Sequence, residues 1–313
     1  MPDTNPDPDR GLGLGIDAGG TQTRWALAER DGVLAAEGHV GGLSALQLSS
    51  EGGRKEFEAE LGRLAAALLP HGRPGRVRAG FTGFGGDGDL IAGALAQALG
   101  IAPACVTISS DIEIAYAASF APGQGYLVYA GTGSIGAWID TDGTLHRAGG
   151  RGVALDDGGG GYWIAREAMR AIWRAEDECP GQWRSSPLAH AVFAHVGGSD
   201  WAHSRQFMYA QERGAIGRLA LAVASAAGSD PTAADILRGA GVELARLALA
   251  LAARHGPRPV VLGGRAAGLH PLIFASMREA LPASTALTHS TGLAHVAAAH
   301  CAALSLSDCK ETA

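Results

Sequence analysis

The stretch LGLGIDAGGTQTRWALAERDG, residues 12–32, decides the fold. Leu12 to Asp17 is an apolar run closed by a carboxylate, Ala18-Gly19-Gly20-Thr21 is a turn, and Thr23 to Ala28 is a second strand-like run. Asp31-Gly32 turns the chain again and Val33 to Glu37 returns as a third strand, which makes an antiparallel meander. The pattern restarts at YLVYAGTGSIGAWIDTDG, residues 126–143. Tyr126 to Tyr129 is the strand, Gly131-Thr132-Gly133 the turn, Ile135 to Ile139 the return strand and Asp142-Gly143 the next turn. Thr21 to Asp31 and Thr132 to Asp142 have the same spacing, so the sequence predicts an internal duplication with a period of about 110 residues. Two α/β lobes of one plan, with a cleft between them, are a natural nucleotide clamp.

The segments around these hairpins fit that plan. Lys55 to Leu69 places Phe57, Leu61, Leu64 and Leu68 at helical spacing before Pro70 stops it. Arg76 to Phe81 reads as a strand before a glycine-rich loop, Leu90 to Leu99 as a helix, Cys105 to Ile108 as a strand, and Asp111 to Ser119 as a helix. Tyr162 to about Arg254 is mostly helical, Pro259 to Leu262 is a strand ending at Gly263-Gly264, and Gly292 to Leu304 is an Ala-rich helix. The expected organisation is a disordered tail over 1–10, an N-terminal lobe over 11–120 joined by a C-terminal helix over 290–305, and a C-terminal lobe with a helical insertion over 121–289.

Composition narrows the function. The 313 residues are 47% hydrophobic and 18% charged, enough for two cores and too apolar for a disordered chain. A net charge of −6 disfavours a nucleic-acid or polybasic membrane partner. The most apolar stretch, Leu244 to Ala253, is interrupted by Arg246 and falls short of the ~20 residues needed to span a bilayer. MPDTNPDPDR has no apolar core and reads as no secretory leader. Cys105, Cys179, Cys301 and Cys309 form no CxxC pair and no zinc or iron–sulfur ligand set, which reads as reduced thiols in a cytoplasmic protein. The eleven histidines are scattered and read as surface or packing residues.

Five clusters carry candidate chemistry. In the first hairpin, Gly19 and Gly20 let backbone amides approach phosphate oxygens, Thr21 adds a hydroxyl donor, and Asp17 at the strand end can hold Mg²⁺ through water; an ordinary tight turn needs the same glycines. Gly13, Gly15 and Ala18 also satisfy the dinucleotide pattern G-x-G-x-x-A, but no strand precedes the match and no helix follows it. Gly131, Thr132 and Gly133 sit at the equivalent point of the second unit. Ser110-Asp111 opens a helix after a strand, so Asp111 is either an N-cap or a general base that accepts a hydroxyl proton in phosphoryl transfer. Gly150-Arg151-Gly152 and Asp156-Asp157-Gly158-Gly159-Gly160-Gly161 form a glycine-rich segment in which an acid can accept sugar hydroxyls, or a flexible loop with solvated acids. Gly263-Gly264 can lay backbone flat against an adenine ring, or simply turn the chain.

Taken in order, the strand with DAGGT, the SD helix start, AGTGS, the DDGGGGYWIARE segment and the late LGG resemble N-acetylglucosamine kinases of the BadF/BadG-type ATPase family, from about Leu12 to Leu304. The resemblance implies two ribonuclease-H-like, actin-like lobes, with ATP and Mg²⁺ in the cleft and a small sugar as the partner. It assigns Asp17 and Thr21 to the first phosphate motif, Thr132 to the second, and Asp111 to the catalytic base. Gly150, Arg151, Gly152 and Asp157 match the stretch that holds the amino sugar, and Gly263 and Gly264 the adenosine motif. It also implies a homodimer. There are departures. Arg151 stands where the kinases carry Trp, Gly158 replaces a Glu, and counting from either end makes Asp156 or Asp157 the conserved acid. Ser44-Ala45-Leu46-Gln47 lacks a sugar-binding Asn, for which Ser44 or Gln47 could substitute.

The leading expectation is an ATP-dependent kinase of N-acetylglucosamine or glucosamine at O6. Arg151 raises a kinase for N-acetylmuramate, whose lactyl carboxylate it could pair. The other branch of the family, ATPases that drive a partner reductase through a cysteine-held iron–sulfur cluster, lacks its cysteines here. A nucleotide-switched regulatory protein is the remaining class, and it has no need of a base at Asp111.

Overall fold

The computed structural model describes residues 11–86, 88–290 and 292–306. The predicted tail over 1–10 and Cys309 lie outside these residues. The described chain falls in two compact units, one within Met1–Ala121 and Gly292–Ala313, the other within Pro122–Thr291.

The first unit is built on strands β1 (Leu12–Ala18), β2 (Gln22–Ala28), β3 (Leu34–Gly41), β4 (Pro74–Phe81) and β5 (Val106–Ser110) in the order β3-β2-β1-β4-β5. β1 pairs antiparallel with β2 and parallel with β4, and is buried on both faces, as an unbroken apolar run requires. β3, at the edge, alternates exposed and half-buried residues. Helices α1 (Glu51–Leu68) and α2 (Gly88–Leu99) cover one face, where Phe57, Leu61, Leu64 and Leu68 meet Leu14, Ile16 and Phe81. α1 begins four residues before the predicted Lys55, because Ser50 caps it through the Gly53 amide. Helix α3 (Asp111–Ala117) follows β5.

The second unit carries β6 (Tyr126–Ala130), β7 (Ser134–Ile139) and β8 (Leu145–Gly149), then helices α4 (Gly161–Glu178), α5 (Pro187–Val196), α6 (Trp201–Ala210), α7 (Arg213–Arg218), α8 (Ala220–Ala226) and α9 (Pro231–His255). β9 (Val260–Gly263), α10 (Pro271–Ala280) and β10 (Leu287–His289) complete it. α11 (Ala294–Leu304) returns to the first unit and packs across β1.

The second sheet runs β10-β9-β6-β7-β8, with β6–β7 and β7–β8 antiparallel and β6–β9 and β9–β10 parallel. That is the order and polarity of the first sheet with β6 in the place of β1. The duplication extends to single hydrogen bonds. Glu29 N–H donates to Val33 O at 2.8 Å and Gly32 N–H to Glu29 O at 3.0 Å; Asp140 N–H donates to Thr144 O and Gly143 N–H to Asp140 O, both at 3.1 Å. Gly32 and Gly143 adopt φ +88° and +83°, the left-handed turn that Asp-Gly favours.

The fold accounts for Gly13 and Gly15 without a cofactor. A Cβ on Gly15 would lie 1.9 Å from His295 O, and one on Gly13 2.1 Å from Ala303 N. Both glycines lie inside β1 and admit the α11 backbone. One expectation is corrected here: Cys105 is disulfide-bonded, while Cys179 and Cys301 are free thiols. Local CxxC spacing does not reveal a pairing that folding brings together. Among the described residues no helix is long and apolar enough to cross a membrane.

Candidate active site

In the first unit the candidate residues gather at the carboxyl ends of β1, β4 and β5. Asp17, half-buried, closes β1 opposite Arg24 on β2 and Gly80 on β4. The hairpin is pinned by Gly19 N–H donating to Gln22 O at 3.2 Å, and Gly20 and Thr21 are exposed at its tip. Gly42 packs against it so closely that a Cβ there would lie 2.2 Å from Gly20 O.

Asp111 opens α3, and it is not the cap. Ser110 is the N-cap residue, and Glu113 Oε2 accepts from the Ser110 amide at 2.8 Å and the Ser110 hydroxyl at 2.6 Å. The carboxylate of Asp111 is therefore directed elsewhere. Its Oδ2 accepts the Thr82 hydroxyl at 2.6 Å and its Oδ1 the Ile112 amide at 2.8 Å. Thr82 went unnoticed in the sequence, where Thr-Gly after a strand is too common to carry a signal. It is the hub of this end of the unit. Its amide donates to Ala18 O at 2.9 Å, and its carbonyl accepts the Ala45 amide at 3.1 Å and the Ser44 hydroxyl at 3.0 Å.

Ser44 and Gln47 cap their own turn. Gln47 Oε1 accepts the Ser44 amide at 2.9 Å, and the Ser44 hydroxyl accepts the Leu46 amide at 3.2 Å. Leu46 is left 64% exposed, seated against Gly83. The Ser44 hydroxyl is engaged by this turn and by Thr82 O, while Gln47, held through its Oε1, lines a hollow with Gly42 and Glu60.

In the second unit the glycines converge on Asp157. Asp157 is the single non-glycine with positive φ among the described residues, at +54°. It is also buried, 7% exposed. Its Oδ1 accepts the Gly152 amide at 3.0 Å, and the Arg151 amide also donates to the carboxylate. A Cβ on Gly133 would lie 2.2 Å from Asp157 Oδ2, so the carboxylate rests on the second hairpin. Burial pushes its pKa above the ordinary carboxylate range, against the pull of the two amides. Asp156 points away and pairs with Arg246 at 2.9 Å. The structure thus separates two neighbours that sequence counting left equivalent.

The start of α4 joins the same cluster. Gly161 N–H donates to Gly131 O and Tyr162 N–H to Thr132 O, both at 2.9 Å, and the Ser134 hydroxyl donates to Gly158 O at 2.7 Å. Gly160 passes so near Gly133 that a Cβ would lie 2.6 Å from its carbonyl carbon. Gly264, at φ +93°, crosses β6 where a Cβ would lie 2.3 Å from Ala130 O. Gly131, Thr132, Gly133, Gly150, Gly152, Asp157 and Gly264 are thereby tied to one end of one sheet, with Gly263 closing β9 beside them. Arg151 is exposed between Gly150 (φ +64°) and Gly152 (φ +92°), and its guanidinium makes no ion pair among the described residues. No group of three or more His, Cys, Asp or Glu that could hold a metal occurs among the described residues. A divalent cation here would rest on one carboxylate and on ligand oxygens, the usual arrangement for Mg²⁺ on a nucleotide.

Comparison with known proteins fits this geometry. The family model described as the BadF/BadG/BcrA/BcrD ATPase family matches residues 14–281. The fold is similar to that of a candidate N-acetylglucosamine kinase from Chromobacterium violaceum, at 28% identity and a TM-score of 0.71, over 96% of this chain and 99% of that one. A candidate N-acetylglucosamine kinase from Porphyromonas gingivalis gives the same TM-score at 17% identity, covering 94% and 99%. A ROK family glucokinase from Streptomyces griseus, solved with glucose and AMPPNP, gives 0.58 at 18% identity, covering 94% and 98%. No curated protein matches the chain.

Proposed function

The chain belongs to the BadF/BadG/BcrA/BcrD ATPase family, and from that premise we propose that it is an ATP-dependent kinase of an amino sugar, N-acetylglucosamine or glucosamine, acting at O6. The observation that carries the reading is Asp111: a carboxylate at a strand end, relieved of capping by Ser110 and fixed through both oxygens. A carboxylate so held can accept the proton of a sugar hydroxyl as it attacks a phosphoryl group. A protein that merely bound nucleotide would have no use for it. The 28% identity to the Chromobacterium violaceum protein supports the choice of sugar.

Each remaining residue has a role in this reading. Mg-ATP would supply the phosphoryl group. Asp17 would hold the cation through water, and the amides of the Gly19–Thr21 and Gly131–Gly133 hairpins, with the two Thr hydroxyls, would take phosphate oxygens. Gly263 and Gly264 would lie under the adenosine. Asp157 would accept sugar hydroxyls, with the amides of Arg151 and Gly152 holding its carboxylate in place. The phosphoryl transition state needs positioning and charge stabilisation more than covalent help, which suits backbone donors on rigid turns.

The test is ADP release with Mg-ATP across N-acetylglucosamine, glucosamine, N-acetylmannosamine, N-acetylmuramate, glucose and no sugar. Release that depends on one amino sugar is expected. Release independent of sugar would move the protein to the ATPase-switch class. Asp111→Asn is expected to lose roughly 10²- to 10⁴-fold in kcat while ATP affinity holds. Near-normal turnover in that variant would end the assignment of the base.

One observation favours a second acceptor. Arg151 is an exposed cation with no counter-ion among the described residues, and its own amide and that of Gly152 hold the buried Asp157. It is suited to a substrate carboxylate such as the lactyl group of N-acetylmuramate. Arg151→Ala should then raise KM for that sugar at least about tenfold and leave KM for N-acetylglucosamine unchanged. An unchanged KM for every sugar used would rule the idea out.

A further inference from the structure

We propose that Thr82 is a positioning residue for Asp111, an inference that rests on the reading of Asp111 as the base. Three features of the structure carry it.

The first is rigidity. The Thr82 peptide is tied at both ends, its amide to Ala18 O and its carbonyl to the Ala45 amide and the Ser44 hydroxyl. The next residue, Gly83, has φ +75°, a turn that a side chain would resist. The Thr82 hydroxyl therefore projects from a backbone with little freedom.

The second is direction. An ionised carboxylate only accepts, so the hydrogen of the 2.6 Å contact comes from Thr82 Oγ1. With the Ile112 amide on Oδ1, each carboxylate oxygen has one fixed donor, and the plane of the group is set. One acceptor position remains on each oxygen for an incoming hydroxyl.

The third is reach. Thr82 links the end of β1, where Asp17 and the phosphate hairpin lie, to the turn of Ser44–Gln47 and to the start of α3. A shift in either neighbour would be transmitted to the base through one hydroxyl.

Without that donor, Asp111 would rotate more freely. Thr82→Val and Thr82→Ala should lose roughly 10- to 100-fold in kcat, as for loss of a hydrogen bond to a charged group. ADP affinity should stay within about twofold, since the change lies in the chemical step. Thr82→Ser should restore the rate. Thr82 is half-buried, so the Ala variant keeps the test alive if the Val variant fails to fold. Ala or Val turnover within about twofold of the parent overturns the proposal. So does a Ser variant as slow as the Ala variant. Asp111→Asn is measured in parallel to separate the two claims. If it is inactive while Thr82→Ala is normal, only the positioning role is lost. If it is active, the base assignment itself falls.

Discussion

Asp157 combines two features that a chain normally avoids: a left-handed backbone at a side chain with a Cβ, and a carboxylate that is 7% exposed. Non-glycine residues in that conformation carry strain and concentrate where a site over-determines them, with Asp and Asn the most tolerant. Asn at 157 keeps the conformation and an acceptor for one amide but removes the charge that burial disfavours. A pKa raised on folding means stability is full below the ordinary carboxylate value of 3.8 and declines as pH rises through the folded value. Asp157→Asn should therefore melt higher than the parent at pH 7, with the advantage shrinking toward pH 4. It should also lose sugar-dependent ADP release. A variant that melts lower at neutral pH would show that the charge is stabilised in place. At this scale the sequence was informative about residue types and weak about their neighbours. The glycine positions and the two acids could be read because glycine next to acid is chemically unusual. Which of Asp156 and Asp157 is buried could not, because Asp156 is drawn outward by Arg246 of α9, ninety residues on in the sequence. Thr82 and the capped Ser44–Gln47 turn were hidden for the same reason: their partners are set by folding.

The same contrast holds for elements. Long, strongly patterned pieces were legible: both glycine–threonine hairpins, α1, and the helical run from Tyr162. Three others, β8, β10 and α10, were not. β8, β10 and α10 have five, three and ten residues. Each takes its structure from a neighbour, β8 from β7, β10 from β9 and α10 from α9, more than from its own pattern. β1 shows a contact deciding composition. Gly13 and Gly15 weaken a strand by entropy and leave no side chain to pack, yet they occupy the most buried strand of the first unit. They are there because α11 lies on them. Gly15→Ala would drive a methyl into His295 O and Ala299 N, backbone atoms that can move only if the whole helix moves. The expected loss is about 3 kcal/mol or more, the upper end for overpacking, read as a lower melting temperature with faster proteolysis at the C-terminus. Gly62→Ala is the control, since a Cβ there meets nothing within 4 Å. It should stabilise α1 by about 0.5–1 kcal/mol. Equal effects at the two positions would mean that α11 does not need the glycine surface.

Across the whole molecule, each unit has its own sheet, and each carries a histidine whose pKa desolvation lowers. His295 on α11 is 5% exposed, and burial lowers its pKa, with Arg24 adding to the effect and Glu37 opposing it. His255 ends α9 in the second unit, its ring 4.5 Å from that of Trp138 and 4.7 Å from that of His146. Burial lowers its pKa first, and the neighbouring His146, Arg254 and Arg258 lower it further, with Asp140 opposing. A histidine depressed on folding stabilises the fold above its ordinary value of 6.5, and that contribution is lost as pH falls through the folded value. The lowered carboxylates Asp140, Asp200 and Asp230 act in a different window, because their contributions persist down to about pH 3.8. Asp157 has the opposite sign and gains stability on acidification. The melting temperature should therefore hold above about pH 7 and fall as pH drops below 6.5, with the slope set by His295 and His255 against the counter-slope of Asp157. A His255→Gln, His295→Gln double variant should flatten that fall even if it melts lower throughout, because glutamine does not titrate. Each single variant should remove part of the slope, since the two groups lie in separate units and their contributions should add. A double variant that keeps the full slope would place the acid sensitivity on other groups, and the scattered exposed histidines would be the next to replace.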